Sequence, residues 1–386
     1  MSKRQVPPVR KALRLGLAFI VAGSVAAVAS PASAESKEGD SCKRADLFEV
    51  QAVGSTYLRC EVKKGSSLHA KKPAFAWKKV TKAQFDYSKV KSSRTIRIDG
   101  SSTVYPLMAV AAKYFQQTTG DKVLVSIGIS GTGGGFEKFC KGETDMSNAS
   151  RQIKKEEAAA CAAKGITYKE VILANDGLAV VVNPKSPVTC LTMDQLKKMW
   201  SPKSGSSGAG GVSKWDEVVP GSTLGNLELF GAGSDSGTFD SFNTFTQGTY
   251  AAGKRTKDGG STTSRTDYNA SENDNDTVKG VSAKQNALGY FGLSYVEENK
   301  TKVKAVALDA GAGCVKPTIK TVQDASYPMA RALYVYIKTD AIAKNPAIKR
   351  MMQFYFDNAK TINSDALFVP LTPAQIKILT AEIKAL

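Results

Sequence analysis

Apolar and polar residues along this chain follow two spacings, one typical of buried strands and one typical of helices. Four runs predict strands: residues 95–99 and 123–127 are β-like, and residues 177–183 and 332–337 are continuously apolar. Directly after Pro106, apolar residues recur at helical spacing from Leu107 to Tyr114, and proline suits the first turn of a helix. Because the runs at 177–183 and 332–337 are continuous, both faces of those strands are expected to be buried. Strands that alternate with helices predict an α/β fold in which helices cover the sheets. The Gly/Ser-rich residues 201–213 and the polar residues 251–277 are predicted to be loops.

The first 34 residues have the pattern of a secretory signal peptide, with cleavage after Ala34. Five basic residues between Lys3 and Arg14 precede an apolar stretch from Leu15 to Val28, which is short for a membrane span. The sequence PASA provides the cleavage motif, and no cysteine follows it directly, so a lipid anchor is not expected. We therefore expect an exported, soluble protein in the periplasm or extracytoplasmic space.

Residues 35–93 form a short basic extension ahead of the α/β region. The formal net charge of the chain is +18 at pH 7, and residues 63–94 contain ten Lys and Arg residues but one acidic residue, Asp86. Such a surface attracts anions, but no recognisable module or aromatic platform for nucleic acid accompanies it. We interpret the charge as a solvated basic face. Strand-like pieces at 48–53 and 56–60 predict a small disulfide-closed β module or an ordered arm.

The chain contains six cysteines and one histidine, His69. An even cysteine count in an exported protein favours disulfides over free thiols. A metal site is not expected, because no CxxC motif occurs and histidine ligands are scarce. Spacing leaves the connectivity open. We expect pairs within each presumed structural unit, namely Cys42–Cys60, Cys140–Cys161 and Cys190–Cys314.

Three segments share an unusual composition of Gly, Ser and Thr, at 100–104, 130–135 and 233–238. Each leads into a segment with helical apolar spacing, and the first two follow predicted strands. Such a turn places backbone N–H groups and hydroxyls at a helix N-terminus, where the helix dipole favours an anion. Three of them predict a site that surrounds an oxyanion with neutral donors.

The sequence patterns of common enzyme sites are missing from the chain. A serine hydrolase needs a base beside its nucleophile, and His69 stands alone in the basic extension. No GxSxG elbow, GxxxxGK[ST] phosphate loop or GxGxxG turn after a strand occurs. The acidic residues Asp235 and Asp240 lie at a helix start, where carboxylates usually act as caps. We therefore expect no catalytic residues, no metal and no cofactor.

Five motifs occur in the order and at the spacings of a known family: DGSSTVYP at 99–106, SGTGGGF at 130–136, DMSNASR at 145–151, GAGSDSGTFD at 231–240 and ALGYFG at 287–292. With these motifs, the chain from Ile98 to its C-terminus resembles the periplasmic phosphate-binding proteins of ABC transporters, of the PstS type. Each motif alone is weak, but five in the family's order are specific. The resemblance covers about three quarters of the chain and leaves out the basic extension.

The resemblance implies a periplasmic-binding-protein type II fold, in which two α/β lobes joined by crossing strands enclose a ligand cleft. Lobe 1 would contain residues 94–180 and 327–386, and lobe 2 would contain residues 181–326. The continuous apolar strands would be the crossings, and closure would be a hinge motion around the ligand. The extension at 35–93 would stand outside both lobes.

The resemblance also implies which residues bind the ligand. The first Gly/Ser/Thr loop would contribute backbone N–H groups and a hydroxyl, and the helix start of lobe 2 would contribute further donors. The implied phosphate-binding residues are Ser102, Thr103, Val104, Tyr105, Thr132, Ser150, Arg151, Ser236, Gly237 and Thr238.

Two positions depart from the family's pattern. Ala232 stands where some members have an arginine, so the positive charge is expected from Arg151 or from Arg265. Ser150 stands where many members have an aspartate that accepts a proton from phosphate and so rejects sulfate. Another acidic residue would then have to distinguish phosphate from sulfate. Two acids are candidates for that role: Asp267 and Glu272.

The function that the resemblance implies is capture of inorganic phosphate by a monomeric substrate-binding protein, which delivers it to an ABC transporter permease in the cytoplasmic membrane. Catalysis and nucleic-acid binding are not expected. Two alternatives stay open. The same fold could bind another oxyanion such as sulfate, molybdate or tungstate, or the chain could be a phosphatase-like or adhesive relative on the same scaffold.

Overall fold

The structure is a computed structural model, and it describes residues 36–386 apart from 67, 69–71, 204–209, 235, 258, 260–263 and 272. The predicted signal peptide, His69, Asp235 and Glu272 lie outside the described residues. Residues Lys37–Leu386 belong to one unit. Within the described ranges, no helix combines the length and the apolar character that crossing a membrane requires.

Seventeen strands occur among the described residues. In chain order they are β1 (Val50–Val53), β2 (Thr56–Val62), β3 (Phe75–Val80), β4 (Ile96–Gly100), β5 (Val125–Ile127), β6 (Met146–Ala149), β7 (Tyr168–Val182), β8 (Cys190–Thr192), β9 (Glu228–Ala232), β10 (Thr249–Ala251), β11 (Lys254–Lys257), β12 (Asn269–Ser271), β13 (Ala287–Gly292), β14 (Lys304–Ala305), β15 (Ala307–Asp309), β16 (Cys314–Val315) and β17 (Ala330–Lys338).

The described α-helices surround these strands, and α2 has Pro106 in its first turn, as predicted. The helices are α1 (Lys82–Phe85), α2 (Tyr105–Thr119), α3 (Gly131–Cys140), α4 (Lys155–Ala163), α5 (Met193–Trp200), α6 (Gly237–Thr246), α7 (Asp274–Ala283), α8 (Leu293–Asn299), α9 (Ile319–Gln323), α10 (Thr339–Lys344), α11 (Ala347–Asp357), α12 (Ala359–Asp365) and α13 (Pro373–Ala385). Short 3-10 helices occupy Arg44–Asp46 and Asp86–Lys89.

Nine strands form the central sheet, in the order β12-β9-β13-β7-β17-β6-β4-β5, with β14 also paired to β7. At its centre β7 and β17 run antiparallel, so that Gly177 pairs with Ala330 and Tyr168 with Lys338. The end of β7 pairs with β13 instead. The two continuous apolar runs are therefore confirmed as strands, and both strands are longer than the runs that predicted them.

Apolar side chains form two large cores, one in each half of the central sheet. The first core contains Phe354 together with residues of α2, β4 and the C-terminal helices. The second contains Trp215 together with residues of α5, β9 and β13. The long strand β7 belongs to both, because Leu173 lies in the first core and Leu178 in the second. The two-lobe α/β architecture is confirmed, while the residues at which the lobes begin and end stay predictions.

The basic extension contains a three-stranded antiparallel sheet, β1-β2-β3, as the β-module alternative predicted. Phe48 has a left-handed backbone with φ of 69°, which takes it out of the strand, so β1 begins later than expected. Its ring centroid lies 4.6 Å from that of Tyr114 and 5.4 Å from that of Phe354. The extension therefore packs into the first core.

Three disulfides join all six cysteines in the expected pairs. One lies within the extension, one joins α3 to α4, and one joins β8 to β16. The pairs are Cys42–Cys60, Cys140–Cys161 and Cys190–Cys314.

The polar segment 251–277, predicted as a loop, contains regular structure, so that prediction is wrong in part. β10 and β11 form a hairpin whose turn residues Ala252 and Gly253 have φ values of 46° and 79°. β12 adds to β9 at the edge of the central sheet. Because β11 is mostly exposed, it shows no apolar alternation from which a strand could be predicted. The other predicted loop, 201–213, lies partly outside the described residues.

Candidate functional site

A cleft of about 370 Å³ lies where the loops after β4 and β6 meet α3, α6 and β17. β4 and β6 are parallel neighbours, so their carboxyl ends reach the same edge of the sheet. Five of the predicted phosphate-binding residues line this cleft: Ser102, Thr103, Thr132, Ser150 and Arg151.

A smaller cavity of about 150 Å³ adjoins the cleft. It is lined by Ser236, Gly237 and Thr238 from the start of α6, and Ser102 and Thr103 line both spaces. The structure thus brings eight of the ten predicted residues around the loop between β4 and α2.

Val104 and Tyr105 line neither space. Val104 is fully buried, at the N-cap position of α2. The backbone N–H of Tyr105 donates to the carbonyl of Ser101 over 3.1 Å. The structure therefore does not bring the side chains of these two residues to the ligand cleft.

The loop after β4 depends on Gly100, which has φ of 137°. A Cβ atom there would collide with the carbonyl oxygen of Asn148, so this turn requires glycine. Beyond it, the Ser102 hydroxyl donates to the Asp240 carboxylate over 2.9 Å. The Thr103 hydroxyl lies 2.8 Å from that of Ser241. The loop therefore directs two hydroxyls toward α6.

The start of α6 lies directly against this loop. A Cβ atom on Gly237 would be 2.8 Å from the Ser102 carbonyl oxygen and from the Thr103 nitrogen, so only glycine permits the approach. The Ser236 hydroxyl accepts a hydrogen bond from the Thr238 N–H over 3.1 Å, which makes it an ordinary N-cap. The N-terminus of α6 is thus held beside the loop that precedes α2.

Thr132 and Ser150 meet across the cleft wall. Their hydroxyls are 3.1 Å apart, and the Ser150 N–H donates to the Thr132 hydroxyl over 3.2 Å. Thr132 lies in the first turn of α3 and Ser150 directly follows β6. This pair joins the second Gly/Ser/Thr turn to the β6 loop.

Arg151 lines the cleft, and a carboxylate holds its guanidinium. Its Nη1 and Nη2 donate to Glu157 over 2.8 and 2.7 Å. Burial raises the pKa of Glu157, but the hydrogen bonds from Arg151 and from the Lys154 N–H outweigh it and hold this pKa below its ordinary value. Glu157 therefore stays ionised and fixes the orientation of the arginine.

Arg331, on β17, is a cation of the cleft that the sequence interpretation missed. Its Nη2 donates to the Thr103 hydroxyl over 3.2 Å and to the Ser241 hydroxyl, and its Nε lies 3.3 Å from Asp176 on β7. Both side chains of the ion pair are more than nine-tenths buried. Burial raises the pKa of Asp176, and the Arg331 guanidinium opposes that shift. Asp176 and Arg331 directly precede the apolar runs at 177–183 and 332–337, so the sequence marks a charge at the start of each run but does not show that the two charges meet.

Arg265, the second candidate for the positive charge, is engaged elsewhere. It pairs with Asp267 over 2.6 Å, and its Nη1 donates to the carbonyls of Met199 and Val212. Asp267 also accepts from the Gly210 N–H over 3.0 Å. Neither Arg265 nor Asp267 is among the residues that line the cleft. Both hold segments of the second half together.

Asp99, at the end of β4, organises two of the Gly/Ser/Thr turns. Its carboxylate accepts from the Gly100 N–H over 2.7 Å and from the Ser130 N–H and hydroxyl over 3.0 and 2.7 Å. Lys138 donates to it over 2.6 Å. Burial raises the pKa of Asp99, but the bonds from Lys138, Ser130 and Gly100 outweigh it and lower the pKa overall. No group of His, Cys, Asp and Glu in the described ranges could hold a metal ion.

The PBP superfamily domain matches residues 86–359, which include both halves of the central sheet and every cleft residue named above. This chain belongs to the PBP superfamily. The part of the extension before residue 86 lies outside the family domain.

Relatives of this superfamily member include phosphate-binding proteins. It is 40% identical to the protein SphX of Synechococcus elongatus over 280 residues, which are 72% of this chain and 77% of SphX. It is 35% identical to the phosphate-binding protein PstS of Staphylococcus saprophyticus over 285 residues, which are 73% of this chain and 82% of that protein.

A solved structure shares the fold. It is the crystal structure of a possible phosphate-binding protein from Planctomyces limnophilus, with a TM-score of 0.68 and 36% sequence identity. The match covers 76% of this chain and 98% of that one. The resemblance read from the five motifs is therefore confirmed.

Proposed function

We propose that this chain is the substrate-binding protein of an ABC transporter and that it captures inorganic phosphate in the cleft between its two halves. One observation carries the proposal. The hydroxyls of Ser102, Thr103, Thr132 and Ser150 converge on a single cleft that also contains the guanidinium of Arg331. The names of the relatives, above all that of PstS, support phosphate as the ligand.

The two arginines of the cleft suit a tetrahedral oxyanion. Arg331 is held by Asp176, and Arg151 is held by Glu157. A guanidinium that is already fixed by a carboxylate presents its remaining N–H groups in a set direction, so less rotamer entropy is lost when an anion binds. Phosphate would then complete a site of oriented donors.

We propose binding roles for the residues that surround the loop after β4, and we add Arg331 and Asp240, which are not among the binding residues that the resemblance implies. Of the two residues that line neither space, Val104 would contribute through its backbone N–H, whereas the N–H of Tyr105 is already bonded to the Ser101 carbonyl. The proposed ligand-binding residues are Ser102, Thr103, Thr132, Ser150, Arg151, Ser236, Gly237, Thr238, Arg331 and Asp240.

Asp240 is the carboxylate that we propose for selectivity. It lines the cleft and accepts a hydrogen bond from Ser102, whereas Asp267 lies elsewhere. A carboxylate that faces the ligand can accept a proton from monobasic or dibasic phosphate, but it repels an oxyanion that has none. This arrangement favours phosphate over sulfate.

The setting that we propose follows from the sequence and from the family. The predicted signal peptide exports the chain, the cleft captures phosphate outside the cytoplasmic membrane, and closure presents it to the membrane permease. The protein acts as a monomer and carries out no chemistry on its ligand.

Calorimetry on phosphate-stripped protein tests the proposal. We expect one phosphate site per chain with a dissociation constant on the order of 1 μM or tighter, and binding of sulfate that is at least about a hundredfold weaker. Molybdate and tungstate are titrated in the same way, to test the other oxyanions as ligands. A chromogenic phosphate ester should show no turnover.

Two results would contradict this function. Equal affinity for sulfate would remove the selectivity assigned to Asp240, and the variant Asp240→Asn should raise the relative affinity for sulfate if that role is right. An absence of phosphate binding by stripped, folded protein would remove the function itself.

A further inference from the structure

A second charged cavity, of about 470 Å³, lies at the opposite end of the strands that form the cleft. The cleft residues follow β4 and β6, whereas the cavity residues Arg94 and Asp145 precede these strands. On β17, Arg331 near the first residue faces the cleft and Lys338, the last residue, lines the cavity. Nothing in the proposed phosphate function uses this end of the sheet.

The cations around this cavity outnumber its carboxylates. Asp145 is paired with Arg97 over 3.0 Å, and Asp340 is paired with Lys344 over 2.6 Å. Arg94 and Lys338 also line the cavity, and neither forms an ion pair with a described carboxylate. Two positive charges are therefore left without a counter-ion.

Lys338 is an unusual residue for such a position, because it is only 6% exposed. Its Nζ donates one hydrogen bond, to the Gly142 carbonyl over 3.4 Å, although an ammonium group has three donors. Burial lowers the pKa of Lys338, and the nearby Asp340 and Asp145 oppose the shift without contacting the ammonium. A buried cation with so few partners is costly unless something compensates it.

We propose that this cavity is a second anion site, which takes a small molecule with at least two negative charges on phosphate or carboxylate oxygens. The two uncompensated cations set the charge of the ligand. The volume exceeds that of the cleft, so the cavity has room for a ligand larger than inorganic phosphate. Lys338 would bind it from within the cavity, and the exposed Arg94 would bind it from the rim.

The test uses the full chain with one equivalent of inorganic phosphate, which fills the cleft first. Pyrophosphate and citrate are then titrated in separate calorimetric experiments. We expect one further binding event per chain with at least one probe, with a dissociation constant on the order of 10–100 μM. The probe that binds more tightly identifies phosphate or carboxylate as the preferred group. If neither probe binds below about 1 mM, the proposal is wrong.

Variants separate the cavity from the cleft. Lys338→Met should weaken binding of the preferred probe at least about tenfold, and Arg94→Gln, at an exposed position, about threefold. Neither change should alter the affinity for inorganic phosphate. Methionine suits the buried site because replacing a buried charge with an apolar group of similar length is often tolerated.

The matched control is Arg331→Gln, which should weaken phosphate binding and leave the probe affinity unchanged. Failure of the phosphate function and failure of the second site are thereby distinguishable. If Lys338→Met and Arg94→Gln bind the probe as the unmodified protein does, or if Arg331→Gln abolishes probe binding, the second site does not exist.

Discussion

The two ends of the central sheet carry positive charge in different ways. In the cleft, each arginine is held by a carboxylate, as Arg331 is by Asp176, and hydroxyls supply most of the remaining donors. In the cavity at the other end, Lys338 and Arg94 have no carboxylate partner. Recognition in the cleft therefore depends on the geometry of oriented donors, whereas attraction in the cavity depends on charge that no ion pair neutralises.

The largest expected effect comes from Arg331→Gln, which removes the cleft cation that is paired with Asp176. We expect phosphate affinity to fall about a hundredfold, because a hydrogen bond to a charged group contributes about 1.5–3 kcal/mol. The free energy of unfolding should also fall by about 3–5 kcal/mol, because Asp176 is left buried without its partner. Calorimetry measures the first change and urea unfolding the second.

The double variant Arg331→Gln with Asp176→Asn is the control for this prediction. It removes the unpaired carboxylate, so it should regain most of the stability but none of the phosphate affinity. If the single variant binds phosphate within about twofold of the unmodified protein, the role given to Arg331 in the cleft is wrong.

A second test concerns the geometry of the cleft rather than its charge. Gly237→Ala places a Cβ atom 2.8 Å from the backbone of Ser102 and Thr103 and so pushes the start of α6 away from the loop. We expect about a tenfold loss of phosphate affinity, since overpacking costs about 1–3 kcal/mol. Gly133→Ala is the matched control in the same cleft, because its Cβ would meet only the Arg151 guanidinium, at 4.0 Å. If the two variants bind phosphate equally well, the close approach of α6 to the loop after β4 is not needed for binding.

A third test increases the difference between the two ends of the sheet. Asp340→Asn removes one of the two carboxylates of the cavity and frees Lys344. We expect binding of pyrophosphate or citrate to strengthen about threefold, with a steeper dependence on salt, because exposed charges are screened over about 8 Å at physiological ionic strength. Phosphate binding in the cleft should not change. Unchanged probe affinity would mean that charge does not govern the cavity.

The smallest effect concerns pH. Because the folded protein lowers the pKa of Asp99, this carboxylate contributes stability that is present above its unfolded pKa of about 3.9 and is lost as the pH falls through the folded value. We expect Asp99→Asn to be less stable than the unmodified protein at pH 7 and to lose less stability between pH 4 and pH 2. Thermal unfolding of both proteins between pH 7 and pH 2 measures the two differences. If the stabilities of the two proteins change with pH in parallel, the role given to Asp99 is wrong.

Local sequence signals predicted much of the fold and part of the site. Glycine, serine and threonine at the turns mark helix starts because those residues cap helices and accept unusual backbone angles, as Gly100 does. Arg331 could not be placed in this way. It reaches the cleft because β7 and β17 pair across 155 residues of sequence, which no local pattern encodes. Arg265 is a candidate because Ala232 replaces an arginine of the family, and its contacts with Met199 and Val212, which draw it away from the cleft, depend on tertiary packing.

The disulfides have a mechanical consequence for closure. Each of them joins cysteines within the extension or within one predicted lobe, and none connects the two lobes. A disulfide typically adds about 2–4 kcal/mol of stability to the segment it closes. The disulfides therefore stiffen the extension and each predicted lobe separately. The connection between the lobes contains no disulfide and consists chiefly of the backbone of β7 and β17. Reduction of the disulfides should make each lobe less rigid and leave the range of lobe rotation unchanged.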